Sequence, residues 1–214
     1  MREQGGTFEV IGYVVPQKSI TAFDLVLGTT YEFKVEARNE IGYSSASEIY
    51  SILHALAPEQ PSAPTSENSG TDVLISWTAP GERGSAIASY IISIKQKDGQ
   101  YSAELTSCDG SLQSIVDAAQ CSVPITSLVA EPFLLERGDS VFAVVVATNP
   151  IGGDSVQSEA GNGATIISAP DAPLNLAEDS ALRTISTLGL TWSDGASDGG
   201  APILDYRVSM AIQG

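Results

Sequence analysis

Few residues of this sequence are of the types that carry chemistry. It has one histidine, His54, and two cysteines among 214 residues. Three such side chains cannot form a four-ligand zinc cluster. A Ser-His-Asp triad would have to use His54, which lies near the end of a short strand-like run and is expected at the surface. There is no phosphate-binding glycine loop, HExxH or GxSxG motif. The sequence therefore predicts a protein that is not an enzyme, with no catalytic residues, metal or cofactor.

The two cysteines, Cys108 and Cys121, lie 13 positions apart. An even pair that flanks a loop favours a disulfide, and a disulfide indicates an oxidising compartment. Closing a loop of this size contributes about 3 kcal/mol in the chain-entropy account. The alternative is two buried thiols in a cytosolic domain.

Two short motifs are candidate binding sites. Residues 137–140 spell Arg-Gly-Asp-Ser, an integrin-binding tetrapeptide, but the motif falls in a turn that enters a strand, where glycine serves the backbone. The loop of residues 194–200 contains Asp194 and Asp198, and two carboxylates with backbone carbonyls can hold a weakly bound Ca²⁺. Because Asp and Gly are also the residues of tight turns, a structural turn is the favoured interpretation of both motifs.

The charge of the chain limits its partners. The net charge is −16, which opposes binding to nucleic acid and to anionic membrane surfaces. The longest apolar run, residues 141–147, is too short to cross a bilayer, so no membrane insertion is expected within this segment. No Asn-x-Ser/Thr sequon occurs, so N-linked sugar is not expected, whereas Ser and Thr in the loops leave O-linked glycans as possible partners.

Apolar residues recur in short runs bounded by Gly, Pro, Asn, Asp or Ser. Such runs are typical of the strands of a β-sandwich. The one region with helical spacing lies near Ile115 and Val116, where about two helical turns are expected inside a loop. The predicted strands are residues 8–15, 31–37, 73–77, 90–94, 141–148, 188–192 and 206–212.

The sequence also repeats itself. Residues 28–42 (GTTYEFKVEARNEIG) align with residues 138–152 (GDSVFAVVVATNPIG), about 110 positions further on. The strands that carry Trp77 and Trp192 each lead through a Gly-rich loop to an Ile-x-x-Tyr motif. A repeat of this length is one sandwich domain.

These motifs jointly resemble fibronectin type III domains. Pro-x-x-Pro precedes the first strand, Trp lies on the second, Tyr on the third, and GTTYEFKVEARN covers the sixth. The resemblance covers nearly the whole chain and implies an all-β fold of tandem fibronectin type III (immunoglobulin-like) sandwiches. The cysteine-bearing insert and the Asn-Pro-Ile-Gly turn of residues 149–152 further resemble large tandem-repeat surface proteins of microbial eukaryotes.

The resemblance also assigns core residues. It places Trp77 and Trp192 between two sheets, near Tyr90 and Tyr206 of the third strands. Tyr31 occupies the position of the family's tyrosine corner. The second repeat has Val141 there, so its corner must be closed by some other group.

The order of the pieces predicts how the chain assembles. Residues 58–171 read as a complete domain, residues 1–57 as the C-terminal half of one, and residues 172–214 as the N-terminal half of the next. Neither half can bury its apolar face alone, and exposed sheet edges favour pairing with another chain. The expected junction comprises Phe8, Val10, Tyr31, Phe33, Val35, Leu190, Trp192, Tyr206 and Val208.

The function that follows is structural. We expect a repeat unit of an extracellular or cell-surface filament, in which copies assemble head to tail by completing each other's half-domains. One alternative is a fragment of a monomeric adhesion or receptor ectodomain. Another is an accessory module of a carbohydrate-active enzyme.

Overall fold

The computed structural model describes residues 1–212, so the last two residues of the predicted 172–214 segment lie outside it. Most regular structure is strand, and no helix in the described part is long and apolar enough to cross a membrane. The strands are β1 (Arg2–Glu3), β2 (Thr30–Phe33), β3 (Tyr50–Leu53), β4 (Thr65–Ser69), β5 (Asp72–Ser76), β6 (Ser89–Lys95), β7 (Tyr101–Ala103), β8 (Gln120–Pro124), β9 (Ala143–Asn149), β10 (Gly153–Asp154), β11 (Leu174–Asp179) and β12 (Gly189–Ser193). The helices are α1 (Gln113–Ala118), α2 (Ile125–Leu128) and a 3₁₀ turn at Ser180–Leu182.

Two antiparallel sheets form a sandwich in the middle of the chain. One sheet has the order β4-β5-β8 and the other has the order β10-β9-β6-β7. This three-plus-four arrangement is that of a fibronectin type III sandwich, with β4, β5 and β8 as strands A, B and E and β7, β6, β9 and β10 as strands C′, C, F and G. The all-β sandwich fold predicted from the sequence is confirmed.

The core lies between these sheets and comes from alternate residues of their strands. In β5, Val73 and Ile75 point inward, and in β6 Tyr90, Ile92 and Ile94 do so, because side chains alternate across a strand. The other buried members include Trp77, Cys108, Ile115, Cys121, Val123, Leu128, Phe133, Leu135, Val141, Ala143, Val145, Ala147, Ala164 and Ile166.

The insert between β7 and β8 is closed by a disulfide between Cys108 and Cys121, as predicted, with the two Cα atoms 5.1 Å apart. The expected short helix is α1, whose Ile115 is buried in the core. Both cysteines belong to the buried core cluster, so the disulfide anchors this insert to the core of the sandwich.

Smaller sheets flank the sandwich. The strands β1, β2 and β3 form a three-stranded sheet before it, and β11 and β12 form a hairpin after it. Two predicted strands are not formed: residues 8–15 and 206–212 have no strand pairing. Each has an apolar pattern but lacks a neighbouring strand to take its backbone N–H and C=O groups, and an extended segment without such a neighbour is not a stable strand.

Candidate assembly site

The aromatic pair of the central core recurs in the last segment. The rings of Trp77 and Tyr90 meet edge to face with centroids 5.1 Å apart, and both side chains are buried. The rings of Trp192 and Tyr206 meet in the same manner at 5.4 Å. Within residues 1–212 no sheet lies opposite the second pair, so Trp192 is only partly buried and Tyr206 is 40% exposed. The expectation that Trp192 is buried between two sheets is therefore wrong for the single chain.

The remaining apolar residues of that segment are also open to solvent. Leu190 and Val208 are exposed, whereas Ile75 and Ile92, which hold the same positions relative to the tryptophan and tyrosine of the central sandwich, are buried. We call this face, made of Leu190, Trp192, Tyr206 and Val208, the tail face.

The first segment has a partly exposed apolar face on β2 and the residues after it. Tyr31 is buried, Phe33 is half-buried and Val35 is 71% exposed, although Val145 at the matching position of β9 is fully buried. Phe8 is half-buried, and the cations of Arg2 and Lys34 lie over its ring at 4.3 and 4.8 Å. Val10 is exposed. We call Phe8, Val10, Tyr31, Phe33 and Val35 the head face.

The tyrosine corner predicted at Tyr31 is present. Its hydroxyl accepts a hydrogen bond from the backbone N–H of Val26 at 2.9 Å. The central sandwich closes the matching turn with a carboxylate, because Asp139 Oδ2 accepts from the backbone N–H of Glu136 at 2.8 Å.

The charged side chains of the Arg-Gly-Asp-Ser motif, residues 137–140, make contacts within the fold. Asp139 also binds the Lys97 ammonium at 2.7 Å, and Arg137 lies 3.6 Å from Asp171. The hydrogen bond from Lys97, with that from the Glu136 N–H, lowers the pKa of Asp139 below its ordinary value. Gly138 adopts φ +90°, a conformation that favours glycine. The turn interpretation of this motif accounts for all of these contacts.

The hairpin of strands F and G is built by the same side chains in both repeats. In the central sandwich, Ser155 and Ser158 accept hydrogen bonds from the backbone N–H groups of Ala147 and Val145 through their hydroxyls. Ser44 and Ser47 accept from the N–H groups of Ala37 and Val35 in the first segment. Hydrophobic patterning does not predict a role for these serines, whereas an alignment of the two repeats beyond residue 152 places them at matching positions.

Asn149 connects the central sandwich to the linker around Leu56 that precedes it, and we call this contact region the joint. Hydrophobic patterning does not predict this role either. Asn149 lies at the end of β9 with 1% exposure, and its Oδ1 accepts from the backbone N–H groups of Ile151 and Gly152. Its Nδ2 donates to the carbonyl oxygens of Leu56, at 2.8 Å, and of Glu82, at 3.2 Å. One amide thus connects the turn after β9, the linker and the loop between β5 and β6.

The same joint brings the first segment against the central sandwich. The carbonyl of His54 accepts from the Gly28 N–H at 2.8 Å, and a Cβ on Gly84 would lie 2.6 Å from the Gly28 nitrogen. Gly84 has φ +97°, so both its conformation and this close approach require glycine. The His54 residue is half-buried beside this joint, and its Nδ1 has no hydrogen-bond partner among the described residues.

The two carboxylates of the acidic loop, residues 194–200, accept hydrogen bonds from groups of the same chain. Asp194 accepts a hydrogen bond from the Tyr206 hydroxyl, and this bond raises the pKa of Tyr206 above its ordinary value. Asp198 accepts from the Gly200 N–H at 2.9 Å. Within residues 1–212 no group of three or more His, Cys, Asp or Glu side chains is arranged to hold a metal ion.

No family model matches the sequence. Among solved structures, chicken CNTN1 FN1-FN3 domains align with a TM-score of 0.39 and 16% identity over 81% of this chain and 55% of that one. Titin kinase with its flanking domains gives 0.38 and 21%, over 52% of this chain and 18% of that one. The twitchin kinase region from C. elegans gives 0.37 and 22%, over 51% and 17%. The chain thus spans less than a fifth of the two kinase-containing structures and about half of the contactin structure.

Proposed function

We propose that this chain is a non-catalytic structural unit of an extracellular or cell-surface filament. In this proposal residues 58–171 form a complete sandwich, residues 1–57 the second half of a sandwich, and residues 172–214 the first half of the next. The tail face of one copy packs on the head face of its neighbour, and repetition of this contact builds the filament. The disulfide between Cys108 and Cys121 supports the oxidising location.

The observation that carries the proposal is that each exposed face lacks the strand that the other contains. In the central sandwich β6 pairs with β9, so that Ile92 lies opposite Val145 and Tyr90 opposite Ala147. The tail carries the counterpart of β6 in residues 205–211, and the head carries the counterpart of β9 in residues 33–39. Joining them places Val208 opposite Val35 and Tyr206 opposite Ala37.

Burying these side chains supplies the driving force. Full burial of a side chain such as Val, Leu or Phe contributes about 1.5–3 kcal/mol, and several of the junction residues are open to solvent in the single chain. Because the tail face and the head face are different surfaces, the contact is heterologous, and a heterologous contact builds an open filament when its rotation does not close into a ring. It also adds strands to an open sheet edge, which is an established mode of association between chains.

The test uses two charge variants of the 214-residue chain. Val35→Asp spoils the head face and leaves the tail face intact, whereas Val208→Asp does the reverse. We expect the unmodified chain to form particles that grow with concentration in light scattering and appear as filaments by negative-stain microscopy. Each variant alone should be monomeric, and an equal mixture should stop at dimers, because one functional head and one functional tail remain.

Val156→Asp serves as the control. Val156 is exposed on the central sandwich, outside both faces, so its replacement adds the same charge without touching the junction. Filament growth by either single variant, or an unmodified chain that stays monomeric over the whole concentration range, would contradict the proposal and favour a monomeric ectodomain fragment.

A further inference from the structure

The joint at Asn149 has its two sides on different parts of the fold. The donor side is the turn after strand F, where Asn149 holds residues 149–152 in a compact loop. The acceptor side consists of the linker carbonyl of Leu56 and the loop carbonyl of Glu82. The linker and the loop are held together without Asn149, because the Leu56 N–H donates to the Arg83 carbonyl and the Glu59 N–H to the Gly81 carbonyl.

The tail contains the acceptor side of a second such joint. The Ser168 N–H donates to the Gly199 carbonyl and the Asp171 N–H to the Ser197 carbonyl, each at 2.9 Å. These two bonds repeat the linker-to-loop bonds of the central sandwich at the same spacing of three residues in the linker and two in the loop. By this register the carbonyl of Ser168 corresponds to that of Leu56, and the carbonyl of Asp198 to that of Glu82.

The head contains the donor side. Asn39 Oδ1 accepts from the backbone N–H groups of Ile41 and Gly42 at 2.9 and 3.1 Å, as Asn149 does in its own turn. Asn39 is exposed, and its Nδ2 donates to no atom of residues 1–212. Gly42 matches Gly152, whose Cβ would lie 2.0 Å from the Ala57 nitrogen, so both turns permit a linker to approach closely.

We propose that the Asn39 side-chain amide of one copy donates to the Ser168 and Asp198 carbonyls of a neighbouring copy. This contact rests on the proposed function, because it requires the tail of one chain to meet the head of another. It adds a polar clasp of fixed geometry to the apolar junction. Both of its halves are already formed in the free chain, so little ordering is needed when copies meet. The clasp would set the angle between successive sandwiches as Asn149 does within one chain.

The test is Asn39→Asp, which keeps the Oδ1 acceptor of the turn but replaces the donating amide by a carboxylate oxygen facing two carbonyls. Losing two hydrogen bonds and leaving the acceptors unpaired should weaken association about 10- to 100-fold in analytical ultracentrifugation. Asn162→Asp adds the same charge at an exposed position of the central sandwich and should leave association unchanged. Circular dichroism checks that all variants keep the fold.

The outcomes separate the two proposals. If the unmodified chain associates and Asn39→Asp associates equally well, the clasp is wrong while head-to-tail assembly stands. If Asn162→Asp weakens association as much as Asn39→Asp, the effect is one of net charge and the clasp is again wrong. If the unmodified chain does not associate at any concentration, both proposals fail. Selective loss in Asn39→Asp supports the clasp.

Discussion

Two unrelated side chains satisfy the same backbone donor in the two repeats. The N–H groups of Val26 and Glu136 lie at matching positions of the turn before strand F; the first donates to the Tyr31 hydroxyl and the second to the Asp139 carboxylate. Each turn pairs this N–H with the side-chain oxygen that lies within reach, so the position takes an acceptor but not a particular residue type. The Asp139 carboxylate makes the closure of this turn depend on pH in the acid range.

Asp139→Asn should therefore make the free energy of unfolding depend less on pH in the acid range. Lys97 and the Glu136 N–H lower the pKa of Asp139 in the folded state, so its contribution is present above the unfolded pKa and is lost as pH falls through the folded pKa. Urea midpoints measured from neutral pH down to about pH 2 should fall more steeply for the unmodified chain than for the variant, since the ordinary Asp pKa is about 3.9. Asp117→Asn on the exposed side of α1 is the control, and an equal change there would contradict the assignment.

The two tryptophans offer a second comparison between repeats. Trp77→Ala should lower the free energy of unfolding by about 3–5 kcal/mol, because it removes a buried ring and leaves a cavity. Trp192→Ala should cost clearly less in the dilute, monomeric chain, because that ring is only half covered. Guanidinium unfolding followed by circular dichroism measures both, and a larger loss for Trp192 would mean that the tail face is covered within a single chain.

At the scale of elements, the strands F and G are joined by hydroxyls as well as by backbone ladders. Ser155 and Ser158 are buried, and each hydroxyl both accepts from strand F and donates to the carbonyl of the next residue. Ser44 and Ser47 make the same bonds at solvent-exposed positions. Identical bonds in different surroundings separate the role of burial from that of bond geometry.

Ser158→Ala should cost about 1–3 kcal/mol, because it leaves the buried N–H of Val145 without an acceptor. Ser47→Ala removes the matching bond to Val35 where water can replace it, so its effect on stability should be within about 0.5 kcal/mol. Urea unfolding and amide exchange at Val145 are the measurements. Similar losses for both variants would contradict the idea that burial decides the cost.

The sequence predicts strands well where the chain also supplies their neighbours. Residues 73–77, 90–94 and 141–148 form β5, β6 and β9 with small shifts at the ends. The equally apolar residues 206–212 do not, since hydrophobic alternation specifies which face of a strand is buried but not which segment pairs with it. The roles of Asn149 and Ser158 escaped prediction for another reason, because polar contacts leave no periodic pattern and emerge only when one repeat is compared with the other.

At the scale of the molecule, the proposed junction would differ from the central sandwich at one edge. Gly161 lies so close to strand A that a Cβ there would be 1.5 Å from the Pro64 carbonyl oxygen. The matching residue of the head is Tyr50, which pairs with Phe33 as Gly161 pairs with Ala143. In the proposed junction the tail's Pro173 could not approach β3 in that way, so the junction would depend on the pairing of strands C and F rather than on strand A.

A pair of cysteines tests that pairing directly. The counterparts of Val208 and Val35 in the central sandwich, Ile92 and Val145, are direct partners between β6 and β9. Residues opposite each other on antiparallel strands have Cα atoms about 4.5–5.5 Å apart, within the range that a disulfide spans. Val35→Cys with Val208→Cys in one chain should therefore give, after oxidation, a ladder of covalent multimers on a non-reducing gel that collapses to monomer on reduction.

Two controls fix the register and the partner. Val35→Cys with Met210→Cys moves one thiol by two residues along the strand, to a diagonal position about 7–8 Å away, and should cross-link much less. A mixture of the two chains that each carry one added cysteine should stop at covalent dimers. A ladder with the shifted pair would mean a different register. If the Val35→Cys, Val208→Cys chain forms its disulfide but stays monomeric at every concentration, the tail folds back on the head of its own chain. That arrangement excludes a filament.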